Sequence, residues 1–398
     1  MTDSSDLYYG LTQAERDALP AMPSFKGKTT AEIIANMPDK FRALMKVASG
    51  SVFKRVYFAV SDSYLKKKHE DTNSRYAAEL RATDALAGSP KVYSLNESYD
   101  FFCTSASRIV DGKPVLLSTL DWGKMPEICQ ALYHAECEGE QGAYDVYNVT
   151  GYSGVFRGGA EGRFAVALNR APVPTLFNLP AIQKTEREHR LQDKARTHKL
   201  GFVFNLAAAA IAFARGETIA KFVSTAKSYT SREKTIPFVL REAFETAADF
   251  TQALDMAART KLSGSGLMVM TGVDETENCA IYRTRDNCVI ETTAAGFEKL
   301  SAQFADAANV TVLQAEKICI ANHWPDHVAR ILGNGYDRID FPRARCDAMK
   351  AQLDNDHIDL KQGVEVDSTV LYSEYNVSKG SSRALAIQNR KPIAYHAK

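Results

Sequence analysis

The stretch that decides the fold runs Tyr99-Asp100-Phe101-Phe102-Cys103-Thr104-Ser105-Ala106-Ser107-Arg108-Ile109-Val110, then Asp111-Gly112, then Lys113-Pro114-Val115-Leu116-Leu117-Ser118-Thr119-Leu120-Asp121-Trp122. Asp-Gly between two β-prone runs is a strong signal for a tight hairpin. With Asp111 and Gly112 as the whole loop, Val110 pairs with Lys113 and Cys103 falls opposite Leu120. A longer loop over 111–114 puts Cys103 opposite Trp122 instead. Either register leaves Asp121 within one step of Cys103 on the neighbouring strand, and directly opposed residues sit roughly 4.5–5.5 Å apart. The sequence therefore sets a carboxylate beside a cysteine at the start of a strand.

That juxtaposition suits one kind of chemistry. A cysteine thiol is mostly protonated at neutral pH and needs a base. An α-amino group titrates at about 7.7–8, a good range for that task. If the bond Phe102–Cys103 is cut, Cys103 carries its own base, and Asp121 can orient the amine. Before the cut the same thiol can attack the Phe102 carbonyl, and the thioester formed can hydrolyse. The plain alternative is that Cys103, on a strand, is a small buried hydrophobe.

Outward from the hairpin, the texture is that of an ordinary globular chain. Of 398 residues, 45% are hydrophobic and 24% charged, enough to bury a large core without disulfide help. A net charge of +1 argues against a strongly basic nucleic-acid surface. Seven cysteines form no paired framework, and the acidic, polar start Met1-Thr2-Asp3-Ser4-Ser5-Asp6 lacks the pattern of a secretory signal. Both point to the cytoplasm. The apolar run 201–214 is too short to span a bilayer and reads as a buried helix.

The residues before the hairpin read as mainly helical, with Thr29 and Glu32 spaced for a capping box and a charged helix over 71–87. Strands are expected at Tyr144–Tyr152, Ser153–Arg157, Arg163–Leu168, Gly266–Thr271, Ala280–Arg283, Cys288–Thr292 and Ile318–Ala321, and at Ser368–Tyr375 and Arg383–Ile387. Gly158-Gly159 reads as a turn. A charge-dense insertion covers 172–200 and helices are expected over 201–262. Helices, strands, helices, strands in that order suit an α+β body with αββα layers.

Several stretches together resemble the cysteine N-terminal-nucleophile hydrolases, in particular acid ceramidase and N-acylethanolamine-hydrolysing acid amidase. Choloylglycine hydrolase and the penicillin acyltransferases are more distant. Cys103-Thr104-Ser105 with Thr119-Leu120-Asp121-Trp122-Gly123 resembles the nucleophile hairpin. Gly151-Tyr152-Ser153-Gly154-Val155 and Gly162 to Asn169 are similar to the next strand pair. Ala321-Asn322-His323-Trp324 resembles the Asn-His-aromatic segment, Arg343 falls where a late arginine stands, and 369–376 resembles the closing strand.

The resemblance implies a four-layer αββα sandwich and cleavage between Phe102 and Cys103. The helical segment 1–102 would stay bound to the catalytic body 103–398 as a heterodimer. Cys103 would be the nucleophile, Asp121 would orient its amine, and Asn322 and Asn169 would donate to the tetrahedral oxyanion. Arg343 would fix carboxylates such as Asp121, with Arg345 as the alternative. The substrate implied is a small N-acyl amide, fatty-acyl by preference, with no cofactor, metal or nucleic acid involved and room for weak lipid or membrane contact. Two other readings remain: an acyltransferase using the same thioester, and an uncut binding protein. Two positions depart from the family pattern. Ser118 stands where an arginine is usual, and Arg170 where the acid-ceramidase branch has glutamate. Arg108 could replace the missing charge, but strand alternation puts it on the face opposite Cys103.

Three further features have plainer readings. His134-x-x-Cys137 with Cys129 has partial zinc spacing but only three candidate ligands. His323 could act as a base, though its neighbour Asn322 fits the pattern better. Tyr336-Asp337-Arg338 reads as a loop salt-bridge cluster.

Overall fold

A computed structural model describes residues 9–49, 62–70, 75–87, 92–97, 102–122, 126–171, 231, 233–332, 340–355 and 358–398. The charged insertion 172–200, the apolar run 201–214 and the cluster 336–338 lie outside them.

The hairpin forms as β2 (Phe102–Val110) and β3 (Lys113–Asp121). Its register is the two-residue one: Val110 faces Lys113, Cys103 faces Leu120 and Phe102 faces Asp121. The turn decides it. Asp111 and Gly112 both take positive φ, 52° and 71°, the type I′ geometry whose twist matches the flanking strands.

Two sheets are built around this hairpin. The smaller has the order β12 (Cys319–Ala321), β2, β3, β13 (Thr369–Asn376), β14 (Ser381–Gln388), β15 (Lys391–Ala397). The larger has nine strands: β1 (Ser24–Lys26), β4 (Leu132–Gly139), β5 (Gly142–Val149), β6 (Arg157–Ala160), β7 (Phe164–Arg170), β8 (Gly266–Thr271), β9 (Asn278–Arg283), β10 (Cys288–Thr292) and β11 (Val310–Gln314). Both inner faces are largely apolar, and fully burying one Leu, Ile or Phe side chain contributes roughly 1.5–3 kcal/mol. Helices Ile236–Thr246 and Phe250–Arg259 cover the larger sheet, where Phe244 stacks on Phe164 and Tyr144. Helix Asp340–Lys350 covers the outer face of the smaller sheet, with Cys346 and Met349 packed among Ala106, Leu117 and Cys319. The result is the α+β, four-layer αββα sandwich that the order of elements predicts.

Two expectations are corrected here. Gly158 and Gly159 are not a turn; they lie inside β6, buried. A Cβ on Gly158 would come within 2.9 Å of the Phe244 ring, and one on Gly159 within 2.6 Å of the Tyr375 ring. The pair is glycine because helix, sheet and sheet approach closely there. The segment before the hairpin is not helical alone: β1 joins the larger sheet beside β4, with Ser24 opposite His134. The capping box forms as expected, Thr29 Oγ1 accepting the Glu32 N–H at 3.3 Å while Glu32 accepts the Thr29 N–H at 2.8 Å.

Candidate active site

Strand alternation sorts the hairpin side chains into two sets. Cys103, Ser105, Leu116, Ser118 and Leu120 point between the sheets. Thr104, Ala106, Leu117, Thr119 and Asp121 point toward helix Asp340–Lys350. The thiol and the Asp121 carboxylate therefore lie on opposite faces of one sheet.

On the inner face the Cys103 side chain is fully buried, and Arg157 Nη2 donates to its Sγ at 3.0 Å. Arg157 is the first residue of β6 and is itself fully buried. Its Nε donates to Ser118 Oγ at 2.9 Å and its Nη2 also to the Thr119 carbonyl at 2.5 Å. Among the described residues it has no carboxylate partner, and its Nη1 has no hydrogen-bond partner. A guanidinium thus reaches Ser118 from the other sheet and rests on the serine. Arg108 does not; it points away and donates to the Asn355 carbonyl at 3.4 Å. Burial pushes the Cys103 thiol up to about 11; Arg157 acts against that shift and Asp121 adds to it.

The backbone nitrogen of Cys103, which cleavage would turn into the amine, donates to Asn322 Oδ1 at 2.6 Å. Asn322 directly follows β12, whose Ala321 is opposite Thr104, so the ladder delivers it to this position. Its Nδ2 is bound to the Arg170 carbonyl at 2.8 Å. Asn169 lies under the same strand. Its Nδ2 donates to the carbonyls of Cys103 at 3.3 Å and Ile320 at 3.1 Å, and its Oδ1 accepts from Ser105 Oγ at 2.6 Å. Both amides expected as oxyanion donors thus adjoin Cys103, and both are engaged with backbone carbonyls in the intact chain.

On the outer face Asp121 is held by Arg345 Nη1 at 2.5 Å and Thr369 Oγ1 at 2.6 Å. Arg345 also donates to Val364 O at 2.8 Å and Thr119 Oγ1 at 3.3 Å. Among the described residues Asp121 bonds Arg345 and Thr369 and makes no hydrogen bond to Cys103; it stands one position away, opposite Phe102. Arg343 is a correction: it pairs with Asp326 at 3.0 Å, half-exposed, and the arginine that fixes Asp121 is Arg345. Two residues apart on a helix point to nearly opposite sides, and the buried stripe Pro342, Arg345, Cys346, Met349 shows which side meets the sheet.

His323 is buried and its Nδ1 has no hydrogen-bond partner among the described residues. Burial, then the nearby Arg343 and Lys350 charges, push its pKa down to about 4. A base whose folded pKa lies below its unfolded value stays neutral when folded, so the unfolded chain takes up the extra proton. Stability is then full above about pH 6.5 and falls as pH drops toward 4, by about 3 kcal/mol in all. Urea denaturation at pH 7 and pH 4.5, on wild type and His323→Phe, checks this: the variant should lose less stability on acidification.

Among the described residues, no group of three or more His, Cys, Asp or Glu side chains could hold a metal ion. Both ring nitrogens of His134 are taken, by Ser24 Oγ at 2.8 Å and Asp145 Oδ1 at 2.9 Å, and Cys129 Sγ bonds the Ile387 carbonyl. No described helix is long and apolar enough to cross a membrane.

No protein-family profile matches the chain, and no curated protein matches it by sequence. Among solved structures it is similar to a Caenorhabditis elegans orthologue of N-acylethanolamine-hydrolysing acid amidase, at 15% identity and a TM-score of 0.40 over 69% of this chain and 93% of that one. It is also similar to two variants of a conjugated bile acid hydrolase from Clostridium perfringens. These stand at 11% and 12% identity, each with a TM-score of 0.34 over 74% of this chain and 92% of the other.

Proposed function

We propose that this chain is a self-processing cysteine amidase. The observation that carries the reading is Arg157 Nη2 at 3.0 Å from the Cys103 sulfur, while the Cys103 backbone nitrogen, 2.6 Å from Asn322 Oδ1, is held as a future amine. A buried guanidinium without a carboxylate is costly. A thiolate beside it would be its counter-charge, which a merely structural cysteine would not need to provide.

In the first step Sγ attacks the Phe102 carbonyl carbon, the C–N bond to Cys103 breaks, and the nitrogen takes the thiol proton. Water then hydrolyses the thioester, releasing a Phe102 carboxylate and leaving Cys103 with a free thiol and a free amine. In turnover that amine accepts the thiol proton, Sγ takes the acyl group of an N-acyl amine, the amine product leaves protonated, and water completes the cycle. Asn322 retains the amine through Oδ1. The oxyanion role for Asn322 and Asn169 requires their Nδ2 groups to leave the carbonyls they now bind. A fatty N-acyl amide is the substrate class suggested by the sequence resemblance.

Intact-mass spectrometry of purified wild type beside Cys103→Ala tests the proposal. Wild type should give two fragments, ending at Phe102 and starting at Cys103, and the variant one full-length species. A wild type that stays whole would favour the binding-protein reading. A Cys103→Ala chain cut at the same bond would show that another agent does the cutting.

A further inference from the structure

The loop over 150–156 runs directly into Arg157, and the N-terminal segment grips it. Asn96, on helix Val92–Glu97 and fully buried, donates Nδ2 to the Gly151 carbonyl at 2.9 Å and accepts the Ser153 N–H at 2.5 Å. That side chain bridges the loop's backbone as a neighbouring strand would. Ser153 Oγ bonds Thr30 Oγ1 at 3.2 Å. The Ser153 carbonyl accepts from Arg241 Nη1 at 2.8 Å, and Glu79 clamps the Arg241 guanidinium at 2.7 and 3.0 Å. Gly151 has φ 91°, and the Phe41 ring occupies the space a Cβ would need. The body holds the loop from the other side: Asn148 binds the Tyr152 and Gly154 carbonyls, and the Val155 N–H binds Pro237 O at 3.0 Å. Thr30, Phe41, Glu79 and Asn96 all precede the proposed cut.

We infer that Asn96, by its docking on the loop over 150–156, sets Arg157 against the Cys103 sulfur. The inference rests on the Arg157–Cys103 arrangement of the proposed site. Asn96 is a positioning residue: it touches the loop, the loop fixes the first residue of β6, and that residue touches the sulfur. A cut fragment that drifted away would take with it the three hydrogen bonds that Asn96 and Thr30 make to the loop.

The test is the rate at which iodoacetamide captures Cys103 in the full chain at pH 8, read on the Cys103 peptide by mass spectrometry. The charged groups acting on this thiol are Arg157, Asp121 and Arg345. Wild type, Asn96→Ala, Arg157→Met and the double variant are compared. Asn96→Ala should capture about tenfold more slowly, as for a thiol moved up by about one pH unit. The double variant should be no slower than Arg157→Met alone, the mark of one residue acting through another. A fold merely loosened by the substitution would open access and raise the rate. An unchanged rate, a faster rate or additive effects would overturn the inference. If Asn96→Ala does not fold, Asn96→Asp, which keeps the Ser153 acceptor and loses the Gly151 donor, is judged by the same outcomes. Capture does not require cleavage, so a chain that never cuts itself fails the amidase reading while this test still decides the docking.

Discussion

Replacing Arg157 by methionine is expected to slow self-cleavage about a hundredfold while leaving unfolding stability within about 1 kcal/mol of wild type. Both halves follow from one arrangement. A positioned donor facing a reacting charge is worth about 10²–10³ in rate, and Nη2 is the group that faces the sulfur. Yet a buried cation is expensive, and among the described residues no carboxylate offsets this one. Removing it forfeits hydrogen bonds to Ser118, Thr119 and Cys103 and recovers the desolvation cost. Ser118 keeps its contact with Ser105 Oγ at 3.0 Å. The measurement is the time course of fragment appearance on a gel beside a thermal melt of a non-cleaving background. Large destabilisation with unchanged cleavage would mark Arg157 as scaffolding.

The second large effect separates the two late arginines. Arg345→Met should cost roughly 3–5 kcal/mol, because it leaves the Asp121 carboxylate buried with Thr369 alone, among the described residues, to satisfy it. Arg343→Met should cost less than about 1 kcal/mol, since its pair with Asp326 is half-exposed and screened. Urea midpoints at constant m-value compare them directly. Equal losses, or a larger loss at 343, would mean that Asp121 is supported by something other than Arg345.

How far these sites are legible in the sequence differs from residue to residue. The hairpin is legible because its information is local. Asp111-Gly112 favours the left-handed pair of dihedrals, and everything from Cys103 to Asp121 then follows by counting. The facing of Asp121 is legible by the same counting: period-two alternation puts it opposite Phe102 and hence on the face away from the thiol. Arg345 was within reach through helical spacing, since Pro342, Arg345, Cys346 and Met349 form the i, i+3, i+4, i+7 stripe that a sheet would cover. Arg157 is the harder case. Its partner lies 54 positions earlier on another sheet, and no periodicity reports contact across two layers. The available hint was an arginine leading into Gly158-Gly159-Ala160, small residues that signal close approach as readily as a turn. Strand β4 was obscured by the metal-like spacing of Cys129, His134 and Cys137; His134 and Cys137 lie on that strand, whereas Cys129 lies on the helix Pro126–Gln130.

The partner of the Cys103 nitrogen has a consequence for the cut itself. Because β12 ends one residue short, that N–H is bonded to a side-chain oxygen and to no backbone carbonyl of the neighbouring strand. Severing the peptide before it would part β2 from its first residue, Phe102, opposite Asp121, and leave the pairing from Cys103 to Val110 in place. Maturation would then resemble trimming one stitch at the edge of the weave: the new chain end arises one residue inside β2, and the scaffold that made the cut would be the scaffold that works afterwards.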